Sequence, residues 1–338
     1  MEKNYYGDLS IIGMKGSEKF LENVDWYLHQ WRQDKEGTFL VNADCPRFGS
    51  GEGKGIIHET LRGHDTYIFA DVFNYGVTYK MYGMNVPMSP DDHYQDLKRI
   101  ICAIGGKARR VSVIMPMLYE GRQHRRTARE SLDCAMALQE LDSMGISNII
   151  TFDAHDPRVQ QAIPRSGFDN VRPAYQMLKA LVREFSDITF DKDTMMIVAP
   201  DEGAMSRSMY YSSILGLELG MFYKRRNYTI VIDGRNPIEA HEFLGRSVEG
   251  KDIIIVDDMI ATGESTLDLA VQLKEKGARR IFIFATFGLF TAGCDKIDAA
   301  YEKGLFNKIF TTNLNYRPQS IIARPWYAEV NMCKYVAY

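Results

Sequence analysis

Asp252-Ile253-Ile254-Ile255-Val256-Asp257-Asp258-Met259-Ile260-Ala261-Thr262-Gly263-Glu264-Ser265-Thr266 is the stretch on which the reading of this chain turns. An apolar, β-branched run ends in two carboxylates. A short turn with Thr, Gly, Ser and Thr then opens an amphipathic pattern. An unbroken apolar run suits a strand buried on both faces, as in a parallel sheet. Backbone N–H groups and hydroxyls at the start of the following helix form a nest for phosphate. Two carboxylates repel phosphate, so they suit sugar hydroxyls or an associated Mg²⁺. Phosphate nest and hydroxyl acceptors together read as a site for ribose 5-phosphate. A lone Asp-Asp pair would more simply cap a turn; the whole strand–acid–turn–helix string carries the functional reading.

The same grammar extends outward. Further strands are expected at 66–70, 111–115, 148–152, 194–198, 217–222, 280–285 and 308–312, and helices at 91–103, 127–143, 171–183, 204–215 and 265–276. Alternation of this kind predicts an α/β fold with right-handed crossovers. The strand at 148–152 also runs into acids, Asp153-Ala154-His155-Asp156. Open α/β sheets place their sites at such strand ends. Two halves of similar plan follow, 1–160 and 161–338, with 156–173 as the expected linker. The length of 338 residues agrees with two domains at roughly 150 residues each.

Composition excludes other classes. Hydrophobic residues at 45% and charged residues at 25% fit a globular protein with sizeable cores, not a disordered chain. Lys and Arg number 41 against 44 Asp and Glu, a net charge of −3, so duplex nucleic acid is not the expected partner. Cys45, Cys102, Cys134, Cys294 and Cys333 are scattered and odd in number, with no Cys-x-x-Cys. That argues against a zinc ribbon or disulfide framework and fits a reducing cytoplasm. No signal-peptide core and no membrane-spanning run is seen, so no membrane partner is expected.

The 252–266 string resembles the phosphoribosyl-pyrophosphate motif shared by phosphoribosyltransferases and ribose-phosphate pyrophosphokinases. Further segments resemble the pyrophosphokinases specifically: Tyr119-Glu120-Gly121-Arg122-Gln123-His124-Arg125-Arg126, Asp153-Ala154-His155-Asp156, Ala199-Pro200-Asp201-Glu202-Gly203-Ala204, Phe222-Tyr223-Lys224-Arg225-Arg226 and Arg47-Phe48-Gly49-Ser50-Gly51-Glu52. The resemblance implies two tandem phosphoribosyltransferase-like domains, each with a mostly parallel sheet flanked by helices. The active site would lie between them, with ATP on the first and ribose 5-phosphate on the second.

Residue roles follow from the resemblance. Phe48, Glu52, Arg122, Gln123, Arg125 and His155 would bind ATP, the first two across a subunit contact. Asp257, Asp258, Thr262, Gly263, Glu264 (by its N–H), Ser265 and Thr266 would bind ribose 5-phosphate. His155 and Asp201 would support Mg²⁺. Lys224, Arg226 and His155 would be catalytic, the two cations stabilising the transferring phosphoryl group from a lid over 227–246. The chain would be a homo-oligomer built on dimers, up to a hexamer. The alternatives are a catalytically silent regulatory subunit and a phosphoribosyltransferase.

Four positions depart from the family pattern: Ala261, Ser50 and His124 stand where acids are common, and Glu264 where glycine is common. A Glu264 carboxylate facing phosphate would repel it, so its side chain is expected to point outward.

Overall fold

The computed structural model describes residues 6–33, 37–226 and 238–338, and leaves the side chains of 224–226 and 238–241 outside the described set. The chain forms two compact units. The first takes in the chain up to Pro173 with Asn313–Pro318 and Asn331–Tyr338, and the second holds Ala174–Thr312 and Gln319–Val330.

The first unit is built on a six-stranded sheet. From edge to edge it runs Gly167–Val171, Asn148–Phe152, Arg110–Ile114, Asp65–Phe69, Leu9–Gly13 and Leu40–Val41, every pair parallel. Its apolar side chains, among them Ile12, Ile68, Val113 and Ile149, are buried with Leu97 and Ile100 of helix Pro90–Ile104 and Leu138 and Leu141 of helix Asp133–Ser143. Helix Pro90–Ile104 starts at a capping box. Ser89 accepts from the Asp92 N–H, and the Asp92 carboxylate accepts from the Ser89 N–H.

The second unit is built on a seven-stranded sheet. Its order is Ile238–Leu244, Glu218–Arg226, Met195–Ala199, Asp252–Ile260, Arg280–Gly288, Lys308–Thr312 and Tyr327–Val330. All neighbours are parallel except the first pair. The continuous apolar run is buried as its composition requires, with Ile253, Ile254 and Ile255 fully enclosed. From Met195–Ala199 the chain moves outward to Glu218–Arg226 and Ile238–Leu244. It then returns to the other side of Met195–Ala199 as Asp252–Ile260. The strand order therefore reverses between the strand leading to Asp201 and the strand carrying Asp257, and such a reversal is where open α/β sheets bind ligands.

Several expectations need correction. The units divide after Pro173, not after 160, and 156–173 is no linker. Pro157–Ala162 is a 3₁₀ turn begun by its proline, and Gly167–Val171 adds a strand to Asn148–Phe152. Hence the helix expected from 171 starts at Ala174. The helix expected from 127 starts at Asp133, because the preceding loop is held by Gln123 Nε2 donating to the Ser131 carbonyl at 2.8 Å. Of the expected lid, 227–237 lies outside the described residues, and Ile238–Leu244 is a strand paired antiparallel to Glu218–Arg226. Strand Leu9–Gly13 and helix Glu18–Arg32 occupy an N-terminal stretch for which no element was expected.

Candidate active site

At the reversal point of the second unit, strand Asp252–Ile260 delivers Asp258 buried and Asp257 half-buried. The Asp258 N–H donates to Asp257 Oδ1 at 2.9 Å. Burial, and next the neighbouring Asp258 charge, push the Asp257 carboxyl well above the ordinary aspartate range. Asp201 adds to that rise and Arg207 opposes it.

Arg207 is the residue that sequence reasoning missed. It is buried on helix Met205–Leu215, with Nη1 3.9 Å from Asp257 Oδ1 and Nη2 3.8 Å from Asp258 Oδ2. A single guanidinium thus faces both acids. The available signal was helical spacing: Arg207 shares a buried face with Ser208 and Tyr211. Asp201 sits at the head of the same turn, where its Oδ1 accepts from the Ala204 N–H at 3.2 Å. It therefore performs the turn-capping role while still acting on Asp257 through charge.

The turn beyond the acids opens helix Glu264–Glu275, whose amino end has no side-chain cap. Gly263 occupies the N-cap with φ +83°. A Cβ there would lie 3.3 Å from Ile297 Cδ1, so both backbone sign and space call for glycine. Thr262 and Ser265 are exposed and Thr266 is buried. The Glu264 side chain is exposed and pairs with Lys296 of helix Asp295–Glu302. The Glu264 N–H meets Thr262 Oγ1 only loosely, at 3.4 Å, so the helix start keeps N–H donors for an anion.

In the first unit, the loop after strand Arg110–Ile114 presents Arg122 and Arg125 exposed, and Gln123 half-buried. His124 and His155 come together, ring centroids 5.3 Å apart, in the segments that follow the neighbouring strands Arg110–Ile114 and Asn148–Phe152. His124 Nε2 is 3.6 Å from Asp156 Oδ2. Hydrogen bonds from Arg158 bring the Asp156 carboxyl down to about 2. Phe48 and Glu52 lie on a separate turn, closed by the Phe48 N–H donating to the Glu52 carbonyl at 2.7 Å. Phe48 is 55% exposed, and Ser50 Oγ donates to Glu52 Oε2 at 2.8 Å. Arg47 anchors this turn to helix Pro90–Ile104 through Asp96 at 2.8 Å. A cavity of about 720 Å³ in this unit, lined by Lys15, Arg47, Tyr79, His93 and Asp96 among others, contains none of the expected nucleotide residues. The side chains of Lys224 and Arg226 lie outside the described residues.

Comparison with known proteins gives this arrangement a family. Residues 9–145 match the N-terminal domain of ribose phosphate pyrophosphokinase, and residues 170–316 match the phosphoribosyl transferase domain. A ribose-phosphate pyrophosphokinase of Pyrococcus abyssi (strain GE5 / Orsay) is 30% identical over 260 residues, 75% of this chain and 79% of that one. The chain belongs to the ribose-phosphate pyrophosphokinase family. A relative of the same name from Ureaplasma parvum serovar 3 is 31% identical over 204 residues, 60% of this chain but only 58% of that one. The phosphoribosylpyrophosphate synthetase structure from Mycobacterium smegmatis shares the fold, with a TM-score of 0.77 over 98% of this chain and 96% of that one at 18% identity.

For a member of the ribose-phosphate pyrophosphokinase family, oxygen donors are the relevant metal chemistry. No group of three or more His, Cys, Asp or Glu is poised to hold a metal ion among the described residues. Mg²⁺ is commonly held by one or two carboxylates plus substrate phosphates. Asp257 and Asp258, with Asp201 adding charge, meet that need: they are hard oxygens whose crowding a cation would relieve.

Proposed function

We propose that this chain is a ribose-phosphate diphosphokinase. It transfers the β,γ-pyrophosphoryl group of Mg-ATP to the 1-hydroxyl of ribose 5-phosphate, giving phosphoribosyl pyrophosphate and AMP. The observation that carries the reading is that Asp257 and Asp258, on strand Asp252–Ile260 at the reversal point of the second unit, run directly into the helix start at Gly263.

The second unit would hold the sugar phosphate. Asp257 and Asp258 orient ribose hydroxyls, and Thr262, Gly263, Ser265, Thr266 and the Glu264 N–H cradle the 5-phosphate. The first unit would hold ATP, through Arg122, Gln123, Arg125 and His155, with Phe48 and Glu52 supplied across a subunit contact of a homo-oligomer. The 1-hydroxyl oxygen attacks the β-phosphorus in line. The bond to the bridging oxygen breaks, and AMP leaves with that oxygen. Lys224 and Arg226 would neutralise the charge of the transition state, since phosphoryl transfer rests on positioning and charge. Mg²⁺, supported by His155 and Asp201, would neutralise phosphate charge when bound.

A cytoplasmic site for the reaction is part of the proposal, supported by five free cysteines, as a reducing compartment keeps them.

The test is direct. The purified chain with ATP, Mg²⁺ and ribose 5-phosphate should release AMP and phosphoribosyl pyrophosphate. A yield no higher than that of a Lys224→Ala/Arg226→Ala control, with folding and ribose 5-phosphate binding intact, would sink the enzyme reading in favour of a silent subunit.

A further inference from the structure

Glu264 poses a problem for the site just described. It is the first residue of helix Glu264–Glu275, beside the N–H groups that would bind a phosphate dianion. An acid in the first turn is ordinarily drawn to those N–H groups, because it completes the helix dipole. There it would occupy the nest and repel a second anion. In this structure Gly263 at the N-cap has no side chain to cap the helix, the Glu264 N–H meets Thr262 Oγ1 only loosely at 3.4 Å, and the Glu264 carboxylate is bonded to Lys296 Nζ.

Lys296 does not meet Glu264 by loose chance. The segment leading into its helix, Asp295–Glu302, is hydrogen-bonded to the backbone just before the phosphate turn. The Thr291 N–H donates to the Ala261 carbonyl at 2.8 Å, and the Leu289 N–H to the Ile260 carbonyl at 2.9 Å. From the helix itself, Ile297 Cδ1 lies 3.3 Å from where a Cβ on Gly263 would stand. The Lys296 and Glu264 side chains are 70% and 56% exposed, and exposed pairs add little to stability. A role in holding the fold is thus a poor account of the pair.

We propose that Lys296 is a positioning residue for ribose 5-phosphate: its ammonium holds the Glu264 carboxylate off the helix start and cancels its charge, leaving the backbone nest open to the 5-phosphate. The inference rests on the placement of the sugar phosphate at 262–266. It makes Lys296 the compensation for an acid at a position where the family commonly has glycine.

The experiment is a second-site cycle read by ribose 5-phosphate binding without ATP, and by the separate KM values for ribose 5-phosphate and ATP. Lys296→Ala should weaken ribose 5-phosphate roughly three- to tenfold, the size of a nearby uncompensated charge in partly screened surroundings. The ATP KM should stay within about twofold, and the thermal midpoint within about 2 °C, as for an exposed pair. Lys296→Met, which keeps the stem but not the charge, should behave like Lys296→Ala. Adding Glu264→Gly to Lys296→Ala should restore binding, which no general loss of structure would do. Binding unchanged in Lys296→Ala, or unrestored in the double variant, would overturn the inference alone. No ribose 5-phosphate binding by the unaltered chain would overturn the sugar-phosphate placement, and this inference with it.

Discussion

Arg207 Nη2 stands 3.8 Å from Asp258 Oδ2, close enough for ionic attraction and too far for a hydrogen bond. A guanidinium at that distance balances the acid's charge. Because Arg207 also lowers the Asp257 carboxyl, its loss should raise that carboxyl further. Arg207→Gln should therefore weaken ribose 5-phosphate by at least about tenfold, the scale of losing one partner of a buried charge contact. It should also move the acid limb of the pH–activity profile to higher pH, since ionised Asp257 would be harder to keep. Initial rates across pH in both proteins check this. An unmoved acid limb would show that Arg207 does not govern the pair.

Gly263 should tolerate no side chain. At φ +83°, with Ile297 Cδ1 3.3 Å from an added Cβ, alanine must strain the backbone or shift helix Asp295–Glu302. Left-handed strain alone costs on the order of 1–2 kcal/mol. Gly263→Ala should lower stability by about that amount and raise the KM for ribose 5-phosphate more than that for ATP. Thr262→Ala, which leaves the backbone path alone, should show the KM effect without the stability loss. Equal effects on both substrates would mean that the turn serves another ligand.

Asp252, the first residue of the strand that carries Asp257, tests a structural role. Burial alone would raise its carboxyl, but Arg279 and Arg280 outweigh that and hold it below its ordinary value. A depressed carboxyl stabilises the fold above its unfolded value near 3.8, and that support is lost as pH falls through the folded value. Asp252→Ala leaves the partly buried Arg280 with the exposed Asp187 as its remaining acid and should cost about 2–3 kcal/mol in urea unfolding at pH 7. Arg279→Ala removes a guanidinium that is 55% exposed and should cost less than about 1 kcal/mol. Similar losses in both variants would refute this division.

How much of this was legible depended on whether a signal was local. Ile253, Ile254 and Ile255 announce a buried strand by themselves, and the turn at Gly263 follows from residue type. The strand's continuation to Ile260 was hidden, because two carboxylates interrupt the apolar run while the ladder continues through Met259 opposite Phe287. Helical spacing put Arg207 on a face with Ser208 and Tyr211, but a lone arginine there reads as a solvated one; only the adjacent strand makes it a partner of Asp257 and Asp258. The edge strand Gly167–Val171 was hidden for a similar reason. Its ladder with Asn148–Phe152 is set by tertiary pairing, while Gly167, Asp169 and Asn170 make it look like a loop. Glu264 shows the reverse case: electrostatics alone required its side chain to leave the nest, but only the fold supplies Lys296.

Asp71 offers the last test, one of packing in the first unit. It lies two residues past strand Asp65–Phe69 and accepts from the Tyr316 N–H at 2.7 Å, tying Asn313–Pro318 into this unit. Burial pushes its carboxyl up to about 6, against the pull of the Tyr316 and Phe73 N–H groups and Arg317. A raised carboxyl favours the folded state while protonated. Its contribution is full below the unfolded value near 3.8 and is lost as pH rises through about 6. Asp71→Asn fixes the neutral form, so its stability relative to the parent should improve between pH 4.5 and pH 8, by on the order of 2–3 kcal/mol. The amide's poorer match to two N–H donors is the same at every pH and drops out of that difference. Urea unfolding of both proteins across this range checks it. A pH-independent difference would mean that Asp71 remains ionised in the fold throughout, its two backbone donors and Arg317 outweighing burial.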